Sequence, residues 1–237
     1  GTLWSWPKDA LIVDEASMAA LPYLMALVTE PPTTVACFGD FRQLPPVAVS
    51  RSAAAQAWFG RDVFEVAGVI ERIEAGDDDP RLAILRTQYR MGETIAEAVS
   101  RVAYFSLLST HVDAVERARQ ICEIAPEDGR EVVLVDTASL GALAQTESDV
   151  QLFSRFNLRT GALAASLAGQ LGATGRTVAV ISPYRAQVSF VHALTRSMRN
   201  VAAATMHRFQ GSERDAVVLD LVDAPPLRGP SQLTGKN

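Results

Sequence analysis

Short apolar runs alternate with helical patterns along this chain. Residues 10–13 and 34–38 are apolar stretches of strand length and read as buried strands. Between them Met18, Leu21, Leu24, Met25 and Val28 recur at helical spacing. Residues 69–73 and 82–85 read as a third and a fourth strand, separated by an acidic loop over 74–80. A helix is predicted over 93–105, with Ile95, Val99 and Val102 on one face. Residues 106–130 read as an irregular connection holding one polar helix over 112–122. Strands resume at 131–135, 177–181, 201–205 and 216–221. Asn157 is the predicted cap of a helix carrying Leu163, Leu167 and Leu171. Ser182-Pro183 offers an N-cap and a first-turn proline for a helix with Val188, Val191 and Leu194. Alternating strands and helices predict an α/β fold with parallel sheets. The weak middle divides it into two units, residues 1–87 and 88–237.

Composition leaves that picture standing. With 237 residues, 48% hydrophobic and 21% charged, the chain suits one large domain or two small ones. No apolar run approaches the ~18 residues of a membrane span, so no membrane partner is expected. Cys37 and Cys122 are far apart and show no metal spacing, which fits a reducing, cytoplasmic setting. None of His111, His192 and His207 has metal-ligand company, and His192 beside Val191 reads as half-buried packing. Trp4, Trp6 and Trp58 read as core or edge packing. The net charge of −5 argues against one broad basic face. The charge is uneven, however. Residues 71–80 hold five acids against Arg72, whereas residues 181–214 hold five arginines against Glu213. A local basic surface fits inside the acidic whole.

Four stretches carry candidate chemistry. Leu11-Ile12-Val13-Asp14-Glu15-Ala16-Ser17 is an apolar run ending in adjacent carboxylates. At the carboxyl edge of a sheet, one carboxylate can hold a Mg²⁺ shell while its neighbour orients a water. Gly39-Asp40-Phe41-Arg42-Gln43-Leu44-Pro45-Pro46 repeats the pattern after a second strand, and Gln43 suits contact with a phosphate and a lytic water. Leu85-Arg86-Thr87-Gln88-Tyr89-Arg90-Met91 supplies a ring face for a base and a planar guanidinium for phosphate. Residues 205–215 run from Thr205 through Gly211 and Glu213 to Asp215, with a glycine that permits close backbone approach to a ligand.

Taken in order, DEAS, GDFRQLPP, LRTQYRM, ISPYRAQ and the T-x-x-x-F-Q-G-x-E-x-D pattern resemble successive motifs of superfamily 1 helicases. The resemblance is to the group containing the nonsense-mediated-decay helicase and the replication nuclease-helicase, and it covers residues 11–220. It implies two RecA-like α/β domains, the first one truncated, with ATP in the cleft between them. It implies that Asp14 coordinates Mg²⁺, Glu15 activates water and Gln43 senses the γ-phosphate. Tyr89 would stack near the adenine, Arg90 would contact phosphate, and Gly211 and Glu213 would line the nucleotide. Ser182, Pro183, Tyr184, Arg185 and Thr205 fall where the family meets a DNA or RNA strand.

The chain departs from the family pattern in two places. No G-x-x-x-x-G-K-[ST] occurs in it, and the family's last motif, which brings an arginine finger, is expected soon after residue 237. It reads as the core of a helicase with more of the same polypeptide expected on both sides, and as hydrolysing ATP poorly by itself. Two other readings are a non-catalytic nucleic-acid-binding module derived from a helicase, and a Mg-dependent phosphohydrolase built on Asp14 and Asp40. The second leaves the three later motifs unexplained.

Overall fold

In the computed structural model, which describes residues 9–28, 34–123, 129–140, 144–146 and 154–223, all strand pairings but one are parallel. The chain divides into two compact units, residues 1–89 with 96–111 and residues 90–95 with 112–237.

In the first unit β1 (Ala10–Val13) pairs with β2 (Thr34–Cys37), Ala10 opposite Thr34 and Val13 opposite Cys37. The crossover holds a 3₁₀ turn at Ala16–Met18 and helix α1 (Leu21–Leu27), which starts with Pro22 in its first turn. Both strands are more exposed than the sequence predicts, with Ile12 at 70% and Val35 at 48% exposure. A strand is buried on both faces only when helices cover both, and β1 and β2 form a two-stranded sheet among the described residues. Helices α2 (Ala53–Phe59) and α3 (Val63–Val66) follow, capped by the side chains of Ser52 and Asp62. Residues 69–73 are not a strand but part of helix α4 (Val69–Ala75). Gly68 and Gly76, at φ 65° and 66°, bracket it with the left-handed turns that bound helices. Residues 82–85, predicted as a strand, form none in the structure. Pairing begins only at β3 (Thr87–Gln88), joined after helix α5 (Glu93–Ala103) to β4 (Ser109–Thr110). α5 ends two residues before its predicted end and leaves Val102 exposed. Phe105 and Ser106 turn out at positive φ, and the buried Ser100 holds that turn through its carbonyl to Ser106 N and its hydroxyl to Leu108 N.

The second unit opens on the polar helix α6 (Val112–Glu123), matching the predicted one. Residues 131–135, predicted as a strand, form none in the structure, and Leu134 is 92% exposed. A short antiparallel pair, β5 (Gln145–Thr146) and β6 (Arg155–Phe156), leads into α7 (Leu158–Ala173), whose cap is Asn157 as predicted. Strand β7 (Val178–Ser182), helix α8 (Arg185–Thr195), strand β8 (Val201–Thr205), helix α9 (Met206–Phe209) and strand β9 (Ala216–Leu219) complete it. The sheet order is β8-β7-β9, so β7 is central and nearly fully buried. Ala164, Ala165, Ala168 and Leu171 of α7 and Val191 of α8 pack on Val178 and Val180. Gly161 lets α7 and α8 approach: a Cβ there would lie 2.7 Å from atoms of Gln187 and Phe190. The N-cap of α8 is Tyr184, not Ser182. Ser182 is still part of the strand, registered opposite Thr205, so the helix starts two residues after the proline.

Candidate functional site

In the first unit the two acidic strand ends lie side by side because β1 and β2 are parallel and in register. Phe38 N donates to the Val13 carbonyl at 2.7 Å, and Ala16 N donates to the Phe38 carbonyl at 2.8 Å. These bonds fix the turn that carries Asp14 and Glu15, both exposed. Glu15 sits at φ 49°, ψ 42°, a left-handed conformation that costs a non-glycine residue about 1–2 kcal/mol. Its N–H donates to Asp14 Oδ1 at 2.9 Å. Gly39 is where the second strand end meets this turn: a Cβ would lie 3.0 Å from Ala16 N and from a Phe64 ring carbon. Ser17 is buried, and its hydroxyl has no partner among the described residues.

Asp40 organises the second loop. Its Oδ2 accepts from Gln43 Nε2 at 3.2 Å and from the Tyr104 hydroxyl at 2.5 Å, and its Oδ1 accepts from Arg42 N at 3.0 Å. Burial, then the bond to Asp40, pushes the Tyr104 hydroxyl well above its ordinary pKa, so it stays a donor. Arg42 Nε donates to the Ala103 carbonyl at 3.0 Å, and its guanidinium lies over the Phe105 ring at 5.1 Å. The Gln43 amide is thus held by a carboxylate that α5's end also holds. Tyr104 was not legible as a site residue, because it falls at the end of the helix predicted over 93–105 and its partner Asp40 lies far off in the chain.

Tyr89 is 57% exposed and stacks on His111, ring centroids 4.4 Å apart at 28°. His111 N donates to the Gln88 carbonyl at 2.9 Å, which extends the β3–β4 pairing and sets the ring in place.

In the second unit Arg90 pairs with Glu213, and Arg117 Nη2 donates to the Arg90 carbonyl at 2.7 Å. Both partners of that pair are more than half exposed, so it orients the guanidinium more than it stabilises the fold. Gly211 takes φ 75°, the left-handed conformation glycine permits. Asp215 accepts from Thr177 N at 2.8 Å and Thr177 Oγ1 at 2.7 Å, and these bonds hold its carboxyl below the ordinary range.

The residues expected to meet a strand separate into two sets. Ser182 and Tyr184 are interior, at 1% and 2% exposure. The Tyr184 hydroxyl donates to Asp223 Oδ2 at 2.7 Å, and Arg155 Nη1 donates to Asp223 Oδ1 at 2.7 Å. Beside them Gln187, fully buried, donates to Asp220 Oδ2 at 2.5 Å and accepts from Asn157 N at 2.8 Å. Pro183, Arg185 and Thr205 instead line a cavity of about 620 Å³, together with Phe156, Phe190 and His207. Among the described residues no carboxylate lines it. The buried polar cluster therefore anchors the turn after β7, and the turn presents Pro183 and Arg185 to the cavity. His192, expected half-buried, is exposed on α8. Trp4 and Trp6 lie outside the described residues, and Trp58 is half exposed.

Residues 69–231 match the model of the AAA domain family. The chain belongs to that family. The chain is 29% identical over 221 residues to the DNA-binding protein SMUBP-2 of Mesocricetus auratus, covering 90% of this chain and 21% of the relative. It is 26% identical over 227 residues to the regulator of nonsense transcripts 1 homolog of Neurospora crassa, covering 92% and 20%. It is 24% identical over 222 residues to the ATP-dependent helicase NAM7 of Saccharomyces cerevisiae, covering 90% and 22%. The chain spans about a fifth of the length of these curated relatives. The matches bear out the superfamily 1 resemblance, and the parallel sheets bear out the α/β fold class.

Proposed function

We propose that this chain is the core of an ATP-dependent helicase or translocase, coupling hydrolysis of Mg-ATP to movement along a DNA or RNA strand. The observation that carries the reading is the parallel, in-register pair β1–β2, which sets Asp14-Glu15 and the Asp40–Gln43 loop side by side at one sheet edge. Two of the relatives bear names that support it, one an ATP-dependent helicase and one a DNA-binding protein.

Among the described residues no three His, Cys, Asp or Glu side chains converge on a metal cage. A Mg²⁺ carried on nucleotide phosphates needs only one or two protein carboxylates, and the exposed Asp14 at a strand end fits that need. The ion would supply charge to offset the phosphates. Glu15 would hold the attacking water and take its proton, and Gln43 would bind the γ-phosphate from the position Asp40 gives it. Tyr89 would offer a ring to the adenine. Arg90, oriented by Glu213, would contact phosphate, with Gly211 allowing close backbone approach. Pro183, Arg185 and Thr205 would touch the strand, while Ser182 and Tyr184 would hold the turn that presents them.

The functional domains would be residues 1–87 and 88–237, with further polypeptide on both sides. The setting would be cytoplasmic. No helix among the described residues is long and apolar enough to cross a membrane. The test is strand affinity of the intact polypeptide with and without Mg-ATP. A change in affinity with ATP supports the reading. Salt-dependent strand binding indifferent to ATP would replace it with a non-catalytic nucleic-acid-binding module.

A further inference from the structure

We propose that Tyr104 is a positioning residue for Gln43, its hydroxyl fixing the Asp40 carboxylate that aims the Gln43 amide at a terminal phosphate and its attacking water. The inference rests on the hydrolytic reading of Gln43 above and adds a residue from outside the motif that carries it. Asp40 Oδ2 accepts from Gln43 Nε2 at 3.2 Å and from the Tyr104 hydroxyl at 2.5 Å, so one oxygen joins the two side chains. An ionised carboxylate only accepts, so it faces the amino half of the Gln43 amide and decides which way round that amide sits. The orientation matters, because only the carbonyl half can accept from a water and only the amino half can donate to a phosphate. Gln43 is exposed, whereas Asp40 and Tyr104 are half-buried. The reacting amide thus stands at the surface on a support that solvent reaches less.

Tyr104 is itself fixed from several sides. Its N–H donates to the Ser100 carbonyl at 3.0 Å, and its carbonyl accepts from Leu107 N at 2.8 Å. Its ring meets Phe41 edge-on, with centroids 6.0 Å apart at 79°. Arg42 makes a second link, with Nε on the Ala103 carbonyl at 3.0 Å and the guanidinium 5.1 Å over the Phe105 ring. Phe41 and Arg42 therefore dock on residues 103–105, and the Asp40 side chain is the joint between that docking and Gln43. Asp40 Oδ1 accepts from Arg42 N at 3.0 Å, so both carboxylate oxygens are engaged and the group cannot turn without losing a bond. Burial, then the bond to Asp40, holds the Tyr104 hydroxyl protonated well above its ordinary pKa, so it remains a donor at neutral pH. Phenylalanine at this position would keep the ring contact and drop only the hydroxyl. The oxygen that holds the amide would then lose one of its two donors, and the amide would lose its fixed frame.

The experiment is a double-mutant cycle on ATP turnover by the intact polypeptide containing this chain, with single-stranded nucleic acid present, in wild type, Tyr104→Phe, Gln43→Ala and the double variant. Tyr104→Phe is expected to lower kcat about ten- to a hundredfold and to leave KM for ATP within about twofold of wild type. In the Gln43→Ala background the same substitution should cost less than about twofold, since the amide it aims is gone. Binding supplies a readout without turnover. Tyr104→Phe should weaken ADP–aluminium fluoride, which fills the γ-phosphate position, by about tenfold, and should leave ADP affinity unchanged. Equal losses from Tyr104→Phe in both backgrounds would make the hydroxyl a structural group unconnected with Gln43 and overturn the inference. So would a Tyr104→Phe variant that turns over like wild type, or one that loses ADP affinity as much as turnover. Gln43→Ala with wild-type kcat would instead overturn the reading of Gln43 on which the inference stands.

Discussion

At residue scale the account turns on Glu15. It holds a left-handed backbone at the end of β1, a position where strain is tolerated when the surroundings fix it. Replacement by Gly relieves about 1 kcal/mol of that strain and adds about as much unfolded-state entropy. Glu15→Gly is therefore expected to leave the urea midpoint nearly unchanged, whereas the β-branched Glu15→Val should cost about 1–2 kcal/mol. Equal losses in both variants would show that the backbone there is not left-handed. A second residue sets an acid limit. The Asp215 carboxyl is held low by the two Thr177 bonds. A depressed folded-state value gives stability that is present above the unfolded value of about 3.9 and is lost as pH falls through the folded one. The gap in urea midpoint between wild type and Asp215→Asn should be constant above about pH 5 and close below about pH 3. Adjacent carboxylates after an apolar run, and an amide in a proline-stiffened loop, were legible in the sequence. The Tyr104–Asp40 bond and the Tyr89–His111 stack were not, since each joins residues far apart in the chain.

At the scale of elements, periodicity succeeded where one face is buried and failed where apolar residues serve both patterns. Helix α7 was legible from Leu163, Leu167, Leu171 and the Asn157 cap, because its alanine-rich face packs on β7. Residues 69–73 were misread because Val69, Ile70 and Ile73 satisfy a short strand as well as one face of a helix, and the flanking glycines decide it. Residues 34–38 were read as buried because their composition is that of a covered strand, yet burial depends on neighbours that composition does not encode. The difference between the two sheets is measurable. β7 is buried on both faces and paired on both edges, whereas β1 and β2 share a single ladder with Ile12 and Val35 exposed. Amide hydrogen exchange is expected to be slowest at Val178–Ser182 and faster, by orders of magnitude, at Ala10–Val13 and Thr34–Cys37. Equal protection of the two sheets would contradict the burial described.

For the whole molecule, membership of the AAA domain family and the order of the motifs make one argument. The order was legible from sequence alone, and so was the α/β class with its parallel strands. What sequence left hidden is the sorting of the ISPYRAQ motif, with Pro183 and Arg185 on a cavity and Ser182 and Tyr184 in the interior. That sorting follows from Asp223, which lies 39 residues farther along the chain and accepts from the Tyr184 hydroxyl. The central claim is that Asp14-Glu15 runs ATP hydrolysis coupled to a strand. Its most direct test is ATP turnover by the intact polypeptide containing this chain, with and without single-stranded nucleic acid, in wild type and in Glu15→Gln. The account predicts turnover stimulated by the strand and reduced at least about a hundredfold by the substitution. Turnover that is indifferent to Glu15 would contradict it.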